Sequence, residues 1–124
     1  MTAPAHTRFA SSHEWIQDGQ AIAAVGISHH AQAELGDIVY IELPAVGRVV
    51  AAKEAVAVIE SVKAASDIYS PVAGEIVEVN AAAAADSGTV NSDPYGAGWL
   101  FKIKIANPAE VSALLDETAY LGSL

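Results

Sequence analysis

The chain has 124 residues, 52% of them hydrophobic, with 6 basic against 15 acidic side chains and a formal net charge of -9. A chain of this size buries a core without staples, an acidic surface repels nucleic acid, and the lack of cysteine excludes disulfide frameworks, zinc–cysteine sites and a thiol nucleophile. No apolar run reaches membrane-spanning length, and residues 1–12, with Arg8 as their one base and no apolar core, read as neither secretory signal nor transit peptide, so one cytoplasmic domain over 1–124 is expected.

The first motif in chain order is Ser12-His13-Glu14-Trp15. Ser, His and Glu are triad residue types, but neighbours in an extended segment cannot take up triad geometry. Trp15, like Trp99, is expected to anchor the core. Residues 21–27 form the first predicted strand, rich in Ile and Val and bounded by turn residues. Ser28 then caps a short helix over 28–35, which Gly36 ends. His29 and His30 are adjacent, without metal-ligand spacing or an evident third ligand. His30 and Glu34, four apart, form a helical pair.

Strands follow at 37–43, Ala55–Ser61, 74–80 and 99–105. Phe101-Lys102-Ile103-Lys104-Ile105 alternates strictly, so one face is buried and the lysine face is wet. Ile76-Val77 breaks the alternation in the preceding strand. Asp93-Pro94-Tyr95-Gly96 is a turn signal. Asn107, Pro108 and Glu110 supply a cap, a first-turn proline and a first-turn acid for a C-terminal helix near 108–116, with Val111, Leu114 and Leu115 at helical spacing. Short strands and frequent turn signals point to a β-sandwich or barrel.

A faint repeat runs through this pattern. Gly36-Asp37-Ile38-Val39-Tyr40-Ile41 resembles Gly74-Glu75-Ile76-Val77-Glu78-Val79. Two related halves imply a quasi-two-fold sandwich. Between them lies a small-residue turn carrying one lysine, Lys63, with a strand entering and a second leaving. Lys53, Lys102 and Lys104 read as solvated surface lysines. Lys63 differs because it sits between the repeats, has Val62 and Ala64 as neighbours, and is the one base between Lys53 and Lys102. An exposed amine at a hairpin tip is reachable by another enzyme.

Glu60-Ser61-Val62-Lys63-Ala64-Ala65-Ser66-Asp67, followed by Tyr69-Ser70-Pro71-Val72-Ala73-Gly74-Glu75, resembles the lipoylation hairpin of glycine cleavage H proteins. Ser12-His13-Glu14-Trp15-Ile16, Leu35-Gly36-Asp37-Ile38-Val39 and Glu42-Leu43-Pro44 are similar to that family's N-terminal half. Asn91-Ser92-Asp93-Pro94-Tyr95-Gly96 and Gly98-Trp99-Leu100 are similar to its C-terminal half. The resemblance runs from about Arg8 to Leu121. Biotin carriers share the architecture but typically place Met on both sides of the lysine, where this chain has Val62 and Ala64. The chain departs from the family pattern at His29 and over 81–89, an alanine-rich stretch expected to be looser.

The resemblance implies a mostly β, lipoyl/biotinyl-type barrel-sandwich hybrid and a carrier with no catalysis of its own. It implies lipoic acid in amide linkage to Lys63, which removes the ammonium charge. Glu60, Ser61, Val62 and Ala64 would form the turn recognised by a lipoate ligase or transferase. The arm would take an aminomethyl group from a pyridoxal-phosphate glycine decarboxylase to a tetrahydrofolate-dependent aminomethyltransferase, and its dithiol to dihydrolipoyl dehydrogenase. Tethering gives each visit a high effective concentration. A water-excluding cleft near Ser12, Glu14 and Asp67 is the expected shelter for the loaded arm. A lipoate relay that donates lipoate to other enzymes would share the fold and the lysine.

Overall fold

A computed structural model of the chain describes residues 2–124. Ten strands and five short helices alternate along it: β1 (Thr7–Phe9), β2 (Glu14–Gln17), β3 (Ile22–Ile27), α1 (His29–Leu35), β4 (Ile38–Glu42), β5 (Val49–Val50), β6 (Ala55–Ser61), β7 (Ala65–Tyr69), β8 (Gly74–Val79), α2 (Ala81–Ala85), α3 (Gly88–Ser92), β9 (Phe101–Ile105), α4 (Pro108–Ser112), β10 (Leu115–Asp116) and α5 (Glu117–Gly122). They form a seven-stranded sheet in the order β10-β1-β2-β3-β9-β8-β5 and a three-stranded sheet in the order β4-β6-β7. The architecture is the expected barrel-sandwich type, with two separate sheets.

The main core lies between the sheets. Ile16, Val25, Ile27, Phe101 and Ile103 from the large sheet belong to one buried cluster with Ile41, Ile59 and Ile68 from the small one. Burying side chains of this size stabilises by about 1.5–3 kcal/mol each. A second cluster, on the other side of the large sheet's N-terminal strands, holds Phe9, Trp15, Ala24 and Tyr120. The Phe9 and Tyr120 rings stack with centroids 4.4 Å apart. The Tyr120 hydroxyl is 2.6 Å from His13 Nδ1 and 2.7 Å from Ser28 Oγ, and this ties α5 to the start of α1. Burial, and secondly the facing His30, hold the His13 imidazole below its ordinary pKa, with Glu34 opposing.

The repeat is real in three dimensions, and its proof is a shared irregularity. β4 pairs with β6 through Ile38↔Ser61 and then Tyr40↔Glu60, so Val39 is bulged out of register. β8 pairs with β9 through Ile76↔Ile103 and then Glu78↔Lys102, so Val77 is bulged. Val39 and Val77 hold the same place in the two sequence copies. The broken alternation at Ile76-Val77 is therefore this β-bulge, which turns two successive side chains outward.

Three expectations are corrected. The C-terminal helix near 108–116 ends at Ser112. Leu115 instead pairs with Phe9 at the edge of the large sheet, and Asp116 caps α5 through the Ala119 N–H. Unpaired strand edge on β1 offered Leu115 a ladder that outweighed its helical spacing. The alanine-rich stretch is also not loose: Asn80 caps α2 by accepting from Ala83 N–H, and α3 follows directly. Trp99, expected in the core, is half-buried, with Lys102 Nζ 5.0 Å from its ring centroid, whereas Trp15 is fully buried and donates to Pro94 O at 3.0 Å.

Candidate functional site

Lys63 stands at the tip of the β6–β7 hairpin. Ser61 builds the turn: its N–H donates to Ala64 O at 2.8 Å, and its Oγ accepts from the N–H groups of Lys63 and Ala64, each at 3.1 Å. A hydroxyl that satisfies two turn amides fixes the backbone and leaves the flanking side chains free. Val62, Lys63 and Ala64 are all exposed, Val62 to 68%. The tip is also tied down from the side, since Val62 N–H donates to Asp37 O at 3.0 Å. Among the described residues, no ion pair engages Lys63.

Gly36 lies under the lysine. It ends α1 at φ +76°, a conformation that side chains disfavour. A β-carbon there would come within 3.1 Å of Lys63 Cε. Asn91 holds this turn from behind: its Oδ1 accepts from Ile38 N–H at 3.0 Å, and its Nδ2 donates to Gln32 Oε1 at 3.0 Å and to Gly36 O at 2.8 Å. In the sequence Asn91 stands out only as the first residue of the Asn91–Gly96 segment. A lone asparagine gives no sign that it will brace a turn more than fifty residues away.

Ser12 and Glu14 come together; Asp67 stands apart from them. Glu14 is 1% exposed. Its carboxylate accepts a short hydrogen bond from Ser12 Oγ and another from Tyr69 N–H at 3.1 Å. Ser12 and Tyr69 line a cleft of about 680 Å³, together with Lys53, Pro71, Glu110 and Leu114. Asp67 is exposed on β7, opposite Val58, and lines a separate depression of about 360 Å³ with Glu42, Pro44 and Arg48. The helical pair forms as expected, with His30 Nε2 3.2 Å from Glu34 Oε1.

Burial pushes the Glu14 carboxyl above its ordinary value of 4.5, and the bonds from Ser12 and Tyr69 pull it back in part. Because folding raises this pKa, Glu14 contributes stability that is whole below pH 4.5 and is lost as pH rises through the raised value. In Glu14→Gln the side chain stays neutral, keeps an acceptor for Tyr69 N–H and donates to Ser12 instead. Melting temperatures of variant and parent should therefore diverge in the variant's favour as pH rises above 4.5 and the parent's carboxyl ionises. Parallel melting profiles would mean the carboxylate is better solvated than its burial implies.

Known proteins resemble the chain over nearly its whole length. Residues 7–124 match the family described as Glycine cleavage H-protein. The chain is 57% identical over 118 residues to the glycine cleavage system H protein of Laribacter hongkongensis, covering 94% of this chain and 93% of that one. It is 53% identical over 122 residues to that of Neisseria meningitidis serogroup C, covering 98% and 95%. A crystal structure of a glycine cleavage system H protein from Mycobacterium marinum superposes with a TM-score of 0.88 at 40% identity and covers 97% of each chain.

Proposed function

The chain belongs to the glycine cleavage H-protein family, and from that premise and the hairpin geometry we propose that Lys63 bears its lipoyl group. The family's role is that of a lipoyl carrier in the glycine cleavage system. The observation that carries the assignment is Lys63 itself: an exposed amine on a turn whose backbone is fixed by Ser61, outside every ion pair among the described residues. An amide-linked lipoyl group needs a reachable primary amine and room beyond it, and this tip supplies both. Lipoate bound there would supply a cyclic disulfide, the redox and group-carrying chemistry that a chain without cysteine lacks.

The chain's own residues present, orient and shelter. Ser61 and the Val62–Asp37 bond hold the lysine outward. Asn91 keeps the Gly36 turn low enough for the lysine stem to lie across it. The 680 Å³ cleft beside Ser12 offers shelter from water, with Glu14 joined to two of its walls. Asp67 adds negative charge on the neighbouring face. We assign the 124 residues to one domain that performs no bond-breaking itself. Its proposed partners are the glycine decarboxylase, the aminomethyltransferase, dihydrolipoyl dehydrogenase and the enzyme that attaches lipoate.

An exchange assay tests this. With glycine, labelled bicarbonate and a glycine decarboxylase, the lipoylated chain is expected to stimulate label exchange strongly over decarboxylase alone. The unlipoylated chain should give background. Equal exchange with and without the lipoylated chain would remove it from the glycine cleavage cycle.

A further inference from the structure

We propose that the outer face of β4, with Val39 and Tyr40 at its centre, is the seat of the enzyme that attaches lipoate, a partner with an apolar depression inside a basic rim. The inference rests on the assignment of Lys63 and extends recognition beyond the turn to a neighbouring strand.

The bulge is the starting point. It leaves Val39 58% and Tyr40 52% exposed, side by side, on a strand hydrogen-bonded to the one that leads to Lys63. Tyr40 faces Glu60 directly across the strands, and Glu60 faces Ala65. In the next row Glu42 faces Val58, and Val58 faces Asp67. The outer face therefore presents an apolar centre of Val39 and Tyr40, continued by the exposed Val62, with three carboxylates around it.

The other half of the molecule is an internal control. There the same bulge places half-buried Val77 and exposed Glu78, and Glu78 lies 3.6 Å from Lys102. Lys102 is the counterpart of Glu60, and Glu78 is the counterpart of Tyr40. The fold's requirement at this place is thus met by an ordinary surface ion pair. The half that carries Lys63 instead has an exposed aromatic beside Glu60, an acid in no ion pair among the described residues. An exposed tyrosine next to exposed valines is what an interface centre uses, and the carboxylate rim calls for positive charge on the partner.

The lipoate-attaching enzyme is the occupant the geometry favours, for a reason of reach. Before acylation there is no arm. Lys63 rests on Gly36, and an enzyme must bring its own active site to the amine. Its surface must then meet the strands that flank the tip. Enzymes acting later react with the far end of the arm, not with the lysine amine, and so need not seat an active site against the tip.

The test uses the intact unlipoylated chain with a lipoate–protein ligase, lipoate and ATP, and measures initial rates against carrier concentration. Tyr40→Thr and Val39→Thr/Tyr40→Thr keep strand propensity. They are expected to raise KM for the carrier about tenfold with kcat within about twofold, as loss of an interface centre does. Tyr40→Phe should restore most of the loss, and Glu78→Thr, at the matching place in the other half, should leave KM unchanged. On the unaltered chain KM should rise steeply with added salt. The proposal is overturned if the parent is labelled at Lys63 while the threonine variants keep its KM, or if salt has no effect. Label elsewhere than Lys63 would overturn both this proposal and the assignment beneath it.

Discussion

Lys63→Arg is expected to abolish lipoylation completely and to leave the melting temperature within about 2 °C of the parent. A guanidinium stays protonated and is no acyl acceptor under conditions where a lysine amine is. The side chain is exposed and outside every ion pair among the described residues, and the bond that fixes residue 63 is a backbone one, from its N–H to Ser61 Oγ at 3.1 Å. Nothing that holds the hairpin is therefore lost. Intact mass after ligase treatment reads the outcome, with peptide mapping to place the label. A lipoyl mass increment on the arginine variant, or a parent label on Lys53, Lys102 or Lys104, would refute the assignment.

Gly74→Ala is expected to carry the largest cost in stability, about 2–3 kcal/mol, seen as a fall of about 10 °C in melting temperature. Gly74 opens β8 opposite Ile105 and is buried. A β-carbon there would overlap the main-chain carbonyl of Lys104 and lie 2.9 Å from Ile103 Cγ1. Backbone on β9 cannot swing aside as a long side chain can, because the same strand is paired on both edges, with β3 and β8. Overpacking then separates β8 from β9, two interior strands of the large sheet. At Gly36, by contrast, the obstacle is the lysine stem, which can move, although the positive φ adds strain of its own. A Gly74→Ala protein that melted with the parent would show that β8 and β9 have slack at this crossing.

The carboxylate at position 14 shows where local reading stops. Ser12-His13-Glu14 gives no hint that Glu14 is buried while Ser12 next to it stays exposed. Its burial depends on Tyr69, more than fifty residues away, offering a backbone N–H. The cleft grouping illustrates the same limit: Ser12 and Glu14 meet, and Asp67 faces another depression, because β7 turns that side chain to the outer face of the small sheet. The reach of β10 to β1 and of Asn91 to Gly36 has the same character, since each partner is chosen by what the rest of the fold leaves unpaired.

The chain's order of residues determined by itself what is local and periodic. Val- and Ile-rich runs of the right length set five strands, Ser28 and Gly36 bounded α1, and the paired Gly-acid-Ile-Val segments set two related halves with one lysine turn between them. These follow from dihedral preference, capping and alternation, which act over a few residues. Tertiary structure alone decided that the C-terminal helix stops at Ser112, that Glu14 is desolvated, and that the bulge at Val39 lays Tyr40 open across from Glu60. Each depends on hydrogen-bond partners and on exclusion of water supplied by segments far away in the chain, and neither quantity is written in any short stretch of it.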